Sequence, residues 1–291
     1  MTLQPVTLAI MAPTLNLCNY LFGIERGFFR AEGLEVNLIV RPGMRNVQAV
    51  LQGEADFGAA NECVIQLALK GPTPLRIVLQ ALNDPLHDLI LPANKNSIED
   101  LRGGTIAVPA AGSTPEIQTR QLLLKHGLVP GRDVTVVTQA PPDTMEDRIR
   151  KFEQGLYAGL IASPPTPFLL HAKGYKSVTE LSEHFPHTAS HGLVTLTNTL
   201  ETRRPVVAAM ARAYSKGVNA LKHDRAAALA FIAARFKLDA VLAARCYALL
   251  RDRWTASLSL EALRVECEFH AANAGSAAIA PESIVATGFT E

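Results

Sequence analysis

The segment Ala110-Ala111-Gly112-Ser113-Thr114-Pro115-Glu116 combines a glycine, two hydroxyls and a proline where a strand gives way to a helix. A helix start of this kind turns backbone N–H groups and the positive end of the helix dipole toward whatever lies in front of it. Gly112, Ser113 and Thr114 are therefore candidates for holding an acidic or carbonyl group; they also fit a capping box running from Ser113 to Glu116, and the two readings are compatible. Three further loops offer polar groups. In Pro13-Thr14-Leu15-Asn16, Thr14 and Asn16 supply a hydroxyl and an amide for hydrogen bonding, or one of them caps the following helix. In Arg41-Pro42-Gly43, Arg41 can fork onto a carboxylate or sulfonate, or stand exposed in its turn. In Ala59-Ala60-Asn61-Glu62, Asn61 suits an N-cap and Glu62 complements a helix N-terminus; turned toward a ligand instead, Glu62 would favour a cationic or amine-bearing one. Ser163-Pro164-Pro165 adds one hydroxyll-bearing residue, Ser163, with apolar walls from Pro164 and its neighbour. Asn83, Asp84, His87 and His191 can either line a binding site or make hinge hydrogen bonds.

Two other patterns carry less. His184, His187 and His191 are spaced H-x-x-H-x-x-x-H, but Pro186 interrupts the segment and it runs from loop into strand, so the imidazoles share no regular face and no metal is assigned. Cys18 and Cys63 both fall in the first turn of an expected helix, where the dipole would lower a thiol pKa, yet no partner base is evident and no catalytic residue is assigned. The four cysteines show no C-x-x-C spacing, which disfavours structural zinc, a redox dithiol or a disulfide framework.

The elements that must position these loops follow from the apolar pattern. Residues 5–12 form a short apolar run; Leu17, Leu21, Ile24 and Phe28 then recur at helical spacing up to Glu32-Gly33. Strand Leu34–Val40, helix Met44–Gln52, strand Ala55–Ala59, helix Glu62–Lys70 and strand Leu75–Leu82 continue a β-α alternation that predicts a mostly parallel sheet. A second set begins at His87–Leu91: strands Thr105–Val108, Val134–Val137 and Ala158–Ile161 alternate with helices Thr114–His126, Thr144–Gln154 and Thr166–Lys173. Strand Leu193–Thr197 leads into a helical third, where Val207, Met210, Tyr214, Val218 and Leu221 keep a 3.6-residue period. Residues 1–86 are expected to form the first part of one lobe, 87–192 an inserted second lobe, and 193–291 a return strand with helices that complete the first. Extended crossovers near Leu82–Leu91 and His191–Thr197 would act as hinges. Ligands of open α/β sheets bind beyond the carboxyl ends of the strands, which places the expected site in a cleft between the lobes.

Composition bounds the function. At 291 residues, 48% hydrophobic and 19% charged, the chain is an ordinary globular protein of about two domains. Its 28 Lys and Arg against 27 Asp and Glu leave a net charge of +1, no field for attracting nucleic acid or anionic lipid. The longest apolar stretch, Ala226 to Ala234, is far short of the roughly 18 residues of a membrane span. The N-terminal run reads as a first strand rather than a signal peptide.

Gly27-Phe28-Phe29, Glu32-Gly33-Leu34 and Gly53-Glu54-Ala55-Asp56-Phe57-Gly58 together resemble the first lobe of the NMT1/THI5-like substrate-binding proteins of the nitrate, taurine and thiamine-precursor type. Ser97-Ile98-Glu99-Asp100-Leu101-Arg102-Gly103 before Thr105-Ile106-Ala107-Val108 is similar to the family's approach to its second lobe. The resemblance implies a type II periplasmic-binding-protein fold, two α/β lobes joined by two hinge crossovers, with Gly112–Thr114 as the second-lobe binding loop. It implies capture of one small organic molecule by the solute-binding component of an ABC-type uptake system, with a membrane permease as partner and no cofactor; Glu62 as an amine contact and Gly112–Thr114 as an anion contact together point to a zwitterionic or heteroaromatic molecule. The compartment would be periplasmic if a signal peptide has been removed, and otherwise cytoplasmic. The alternative is a cytosolic enzyme or ligand sensor on the same scaffold, similar to a pyrimidine-precursor synthase or a desulfinase. The synthase's cysteine-rich signature is absent, and the position closest to the desulfinase cysteine holds Thr14.

Overall fold

A computed structural model describes residues 2–139, 144–188 and 191–289. The chain forms two compact units, one comprising Met1–Pro85 with His187–Glu291 and the other Leu86–Pro186.

The first unit is built on a five-stranded sheet. Its strands are β1 (Gln4–Ile10), β2 (Leu34–Val40), β3 (Phe57–Gly58), β4 (Leu75–Leu82) and, from after the second unit, β10 (His191–Leu196), in the order β2-β1-β3-β10-β4. β1 runs parallel to β2 and β3, while β10 runs antiparallel to β3 and β4. Thus the carboxyl ends of β1 to β4 and the amino end of β10 share one edge. Leu8, Ile10, Phe57, Ile77 and Val194 are wholly or almost wholly removed from solvent; on one face Ala9, Ile77 and Val194 pack in one cluster with residues of the helices Arg45–Leu51, Asn61–Ala68 and Leu260–Ala274. The apolar period expected to run unbroken through Phe28 is split into helices Cys18–Glu25 and Phe28–Ala31, because Gly27 takes a left-handed conformation (φ 78°) that side-chain-bearing residues avoid.

The motif residues of this unit act as joints. Asp56 accepts a hydrogen bond from the Thr7 amide (2.8 Å) and pairs with the Arg203 guanidinium, while its carbonyl receives Thr195 Oγ1 (2.9 Å). Glu32 receives Arg212 (2.9 Å) and Lys216 (2.6 Å) from the long helix Arg204–His223, and the Lys216 hydrogen bond leads the effects that hold its carboxyl below the usual range. These contacts bind the C-terminal helices to the first strands and helices of the same unit.

The second unit carries β5 (Asp88–Leu91), β6 (Thr105–Ala110), β7 (Thr135–Gln139), β8 (Gly159–Ala162) and β9 (Lys176–Glu180), in the order β7-β6-β8-β5-β9. β6 is parallel to β7 and β8; β5 is antiparallel to β8 and β9. The sheets are therefore mixed, each with one reversed strand. The amino end of β5 lies at the carboxyl ends of the other four, with Asp88 opposite both Ala162 and Glu180.

Candidate functional site

In the first unit the strand-end edge is pinned by two asparagines. Asn46, unforeseen from the sequence, donates to the carbonyl of Ala9 at the end of β1 (2.9 Å) and accepts from the amide of Ala59 just after β3 (2.9 Å). Asn61 is the first residue of its helix; the N-cap is Ala60, so the Asn61 side chain does not cap. It donates instead to the carbonyl of His191 (3.1 Å) and lies against Gly192, where any Cβ would come within 2.3 Å of its amide oxygen. Asn61 thereby joins the ends of β3 and β10.

Glu62, next in the helix, is 1% exposed. Burial drives its carboxyl well above the ordinary range, opposed by a backbone N–H and reinforced by the neighbouring Glu266 charge. His191 is held down to about 4, again chiefly by burial, with Glu266 opposing. Glu266 and His270, on the helix Leu260–Ala274, are also buried and bonded to each other at 3.2 Å. Their E-x-x-x-H spacing was the available signal, but such a pair equally suits a helix surface.

The remaining first-unit candidates reach the same edge by topology. Thr14 begins the 3-10 turn Leu15–Leu17 without a side-chain cap bond, and Asn16 is buried within that turn. Arg41 donates to both oxygens of Glu54, through Nε at 3.1 Å and through a second guanidinium nitrogen, and to its neighbour's carbonyl. Asn83 hydrogen-bonds through its amide to Arg253 O (2.9 Å), beside Asp84, whose carboxylate accepts from the Thr188 amide (2.9 Å).

In the second unit, Gly112 (φ 75°) turns the chain after β6 and Ser113 is the N-cap of the 12-residue helix Thr114–Lys125. The Ser113 side chain makes no cap bond, is 4% exposed, and its Oγ has no hydrogen-bond partner. Glu116 pairs with Arg120 rather than closing a capping box. Thr114 is buried next to Ser113 in the chain, and Ser163 and Pro164 after β8 are buried as well. Ser163 O accepts from the Thr166 amide at 3.2 Å, closing the turn into the next helix. Arg148, likewise unforeseen, is buried and donates to Ile161 O at 3.3 Å. Asp88 accepts from Ser177 Oγ (2.5 Å), which contacts His171 Nε2 (2.9 Å); burial, opposed by that hydroxyl and aided by Glu180 and Glu183, pushes the Asp88 carboxyl up to about 6.

The cysteine expectation is corrected. Cys18 and Cys63 are fully buried, and desolvation raises both thiols far more than a helix dipole lowers them; Cys246 and Cys267 are pushed up to about 11 and about 12. The arrangement offers hydrogen-bonding and charge-matching groups at two strand-end edges, with all four thiols held in their neutral form.

The NMT1/THI5-like family profile matches residues 14–228, more than half of the chain. The chain belongs to the NMT1/THI5-like family. No curated protein matches it by sequence. Among solved structures, this family member is similar to the alkanesulfonate-binding protein SsuA of Xanthomonas axonopodis pv. citri bound to MOPS, at 15% identity, covering 96% of this chain and 97% of that one, with a TM-score of 0.78. It is similar to a Candida albicans protein described as having the generic periplasmic binding protein fold, at 16% identity, 99% and 98% coverage and a TM-score of 0.78. It also resembles the desulfurization enzyme DSZB at 16% identity, 98% and 97% coverage and a TM-score of 0.69. The fold is the periplasmic-binding-protein fold expected from the sequence motifs. No helix among the described residues is long and apolar enough to cross a membrane.

Proposed function

We propose that this NMT1/THI5-like protein is the solute-binding component of an ABC-type uptake system and holds one small organic molecule through its strand-end loops. The observation that carries the reading is Ser113: an N-cap serine ordinarily spends its hydroxyl on its own helix, yet here the buried Oγ is left for another partner at a positive helix end. The alkanesulfonate-binding neighbour supports an acidic group on the ligand, and on this reading the Ser113 loop holds it. Glu62 supports a nitrogen group elsewhere on the ligand, so the solute is zwitterionic or heteroaromatic, with contacts from Thr14, Asn16, Arg41, Asn61, Glu62, Asn83, Gly112, Ser113, Thr114, Ser163, Pro164 and His191. The partner on this reading is a membrane permease and the compartment is the periplasm.

Thermal denaturation of the intact chain against alkanesulfonates, amino acids and amino-heterocycles tests the reading. One class should raise Tm in a concentration-dependent way, since a ligand at a hundred times its Kd stabilises by about 2.7 kcal/mol. No shift with any class, or conversion of the stabilising compound to product, would overturn it; conversion would favour an enzyme, as the DSZB neighbour is.

A further inference from the structure

The first unit holds a buried glutamate, Glu62, with one carboxyl oxygen unpartnered and a second buried glutamate, Glu266, nearby. Glu62 and Glu266 are 1% and 0% exposed, and His270 is 2% exposed. They lie on two packed helices, Asn61–Ala68 and Leu260–Ala274, close enough for the Glu266 charge to act on Glu62 and on His191. Glu62 Oε2, His191 Nδ1 and His270 Nδ1 have no hydrogen-bond partner, and no lysine or arginine of the described residues is paired with Glu62. Burying a carboxylate without a countercharge is costly, and a second carboxylate nearby increases that cost, so Glu62 is held as the protonated acid. A cation that brings its own positive charge can take the place of that proton. A metal ion does not fit: among the described residues no three His, Cys, Asp or Glu side chains are grouped tightly enough to hold one. Acceptors set more widely apart suit a cation whose charge and N–H donors are spread over several atoms. His191 gives this cluster its way out, because it is only partly buried and its carbonyl is tied to Asn61, the residue before Glu62.

We propose that Glu62 receives a cationic N–H group of the solute, an amidinium or a protonated amino-heterocycle, with His191 as a second contact and Glu266 and His270 as positioning residues. The proposal rests on the solute-binding reading and narrows it: the nitrogen end of the ligand is cationic and delocalised, and part of its recognition comes from the C-terminal helix.

The test uses benzamidine and its neutral isostere benzamide as probes in calorimetric titrations of the wild-type chain. Benzamidine is expected to bind at least about tenfold more tightly than benzamide, the scale of one charge-assisted hydrogen bond. In Glu62→Gln that ratio should collapse toward one, and in Glu266→Gln it should fall by a smaller factor, a change in selectivity that mere loosening of the fold would not produce. Equal wild-type binding of the two probes, no benzamidine binding, or an unchanged ratio in Glu62→Gln would overturn the assignment. If the chain still retains and rebinds its own co-purified small molecule in those cases, only the cationic assignment fails. If it retains none, the parent reading fails as well.

Discussion

The two units use the same construction, a mixed five-stranded sheet with one reversed strand, and equip its strand-end edge differently. In the first unit the edge is stiff and acidic: Asn46 and Asn61 bolt neighbouring strands together, Glu62, Glu266 and His270 sit buried, and His191 is partly buried beside Asn61. In the second, the edge is made of glycine, hydroxyl and proline loops at helix starts, and its main titratable group, Asp88, rests on Ser177. Topology fixes where polar groups gather; side-chain bracing decides whether a given group is spent on the scaffold or kept for a ligand.

The contrast in stiffness predicts the largest effect. A Cβ at Gly192 would stand 2.2 Å from Leu79 O, fixed in the sheet, and within 2.4 Å of both Asn61 amide atoms, held by their bond to His191 O. Gly192→Ala should cost about 4 kcal/mol or leave the chain unfolded. In the second unit, Gly159→Ala meets the ends of Leu101 (2.8 Å) and Leu91 (3.1 Å) side chains, which can turn aside, so about 1–2 kcal/mol is expected. Urea denaturation of both variants checks this; equal losses would mean that the first edge is no stiffer than the second.

The acidic contrast appears in pH dependence, with opposite signs. Asp88 is raised to about 6 in the folded chain, so its contribution is fully present at low pH and is lost as pH rises from about 4 through 6. His191 is depressed to about 4, so its contribution is present above about 6.5 and is lost as pH falls through 4. The stability of wild type relative to Asp88→Asn should therefore fall between pH 4 and 6, and relative to His191→Gln should rise over that window, each by up to about 3 kcal/mol. Parallel slopes in the two denaturation series would refute this division.

The smallest effect separates a serine kept for a ligand from a threonine spent on its helix. Thr144 Oγ1 accepts from the Asp147 amide at 3.1 Å, whereas Ser113 caps nothing. Thr144→Ala should lose about 1 kcal/mol and Ser113→Ala less than about 0.5 kcal/mol, while Ser113→Ala alone weakens solute binding. A full capping loss at Ser113 with unchanged binding would return that residue to the scaffold.

Much of this layout is legible in the sequence. The alternation of apolar runs with helical periods locates most strands and helices, and the Gly-Glu-x-Asp-Phe-Gly motif marks a true joint, with Asp56 serving Thr7 and Arg203. Strand direction is not legible, because an apolar run such as His87–Leu91 looks alike whichever way it pairs, and β5 and β10 prove reversed. Strand β9 escapes notice because Lys176–Glu180 is half-buried throughout and lacks an apolar face. Glu266 and His270 escape because their burial is decided by packing against a helix about 200 residues earlier, a long-range contact that local periodicity does not encode.

The most direct test of the central claim is to denature the purified native chain, identify any released small molecule by mass spectrometry, and titrate that compound back onto the refolded protein. The account predicts one molecule bound per chain, a raised Tm, and recovery of the same compound unchanged after prolonged incubation. Its steady conversion to another compound, or a refolded chain to which it does not rebind, would contradict a solute-binding function.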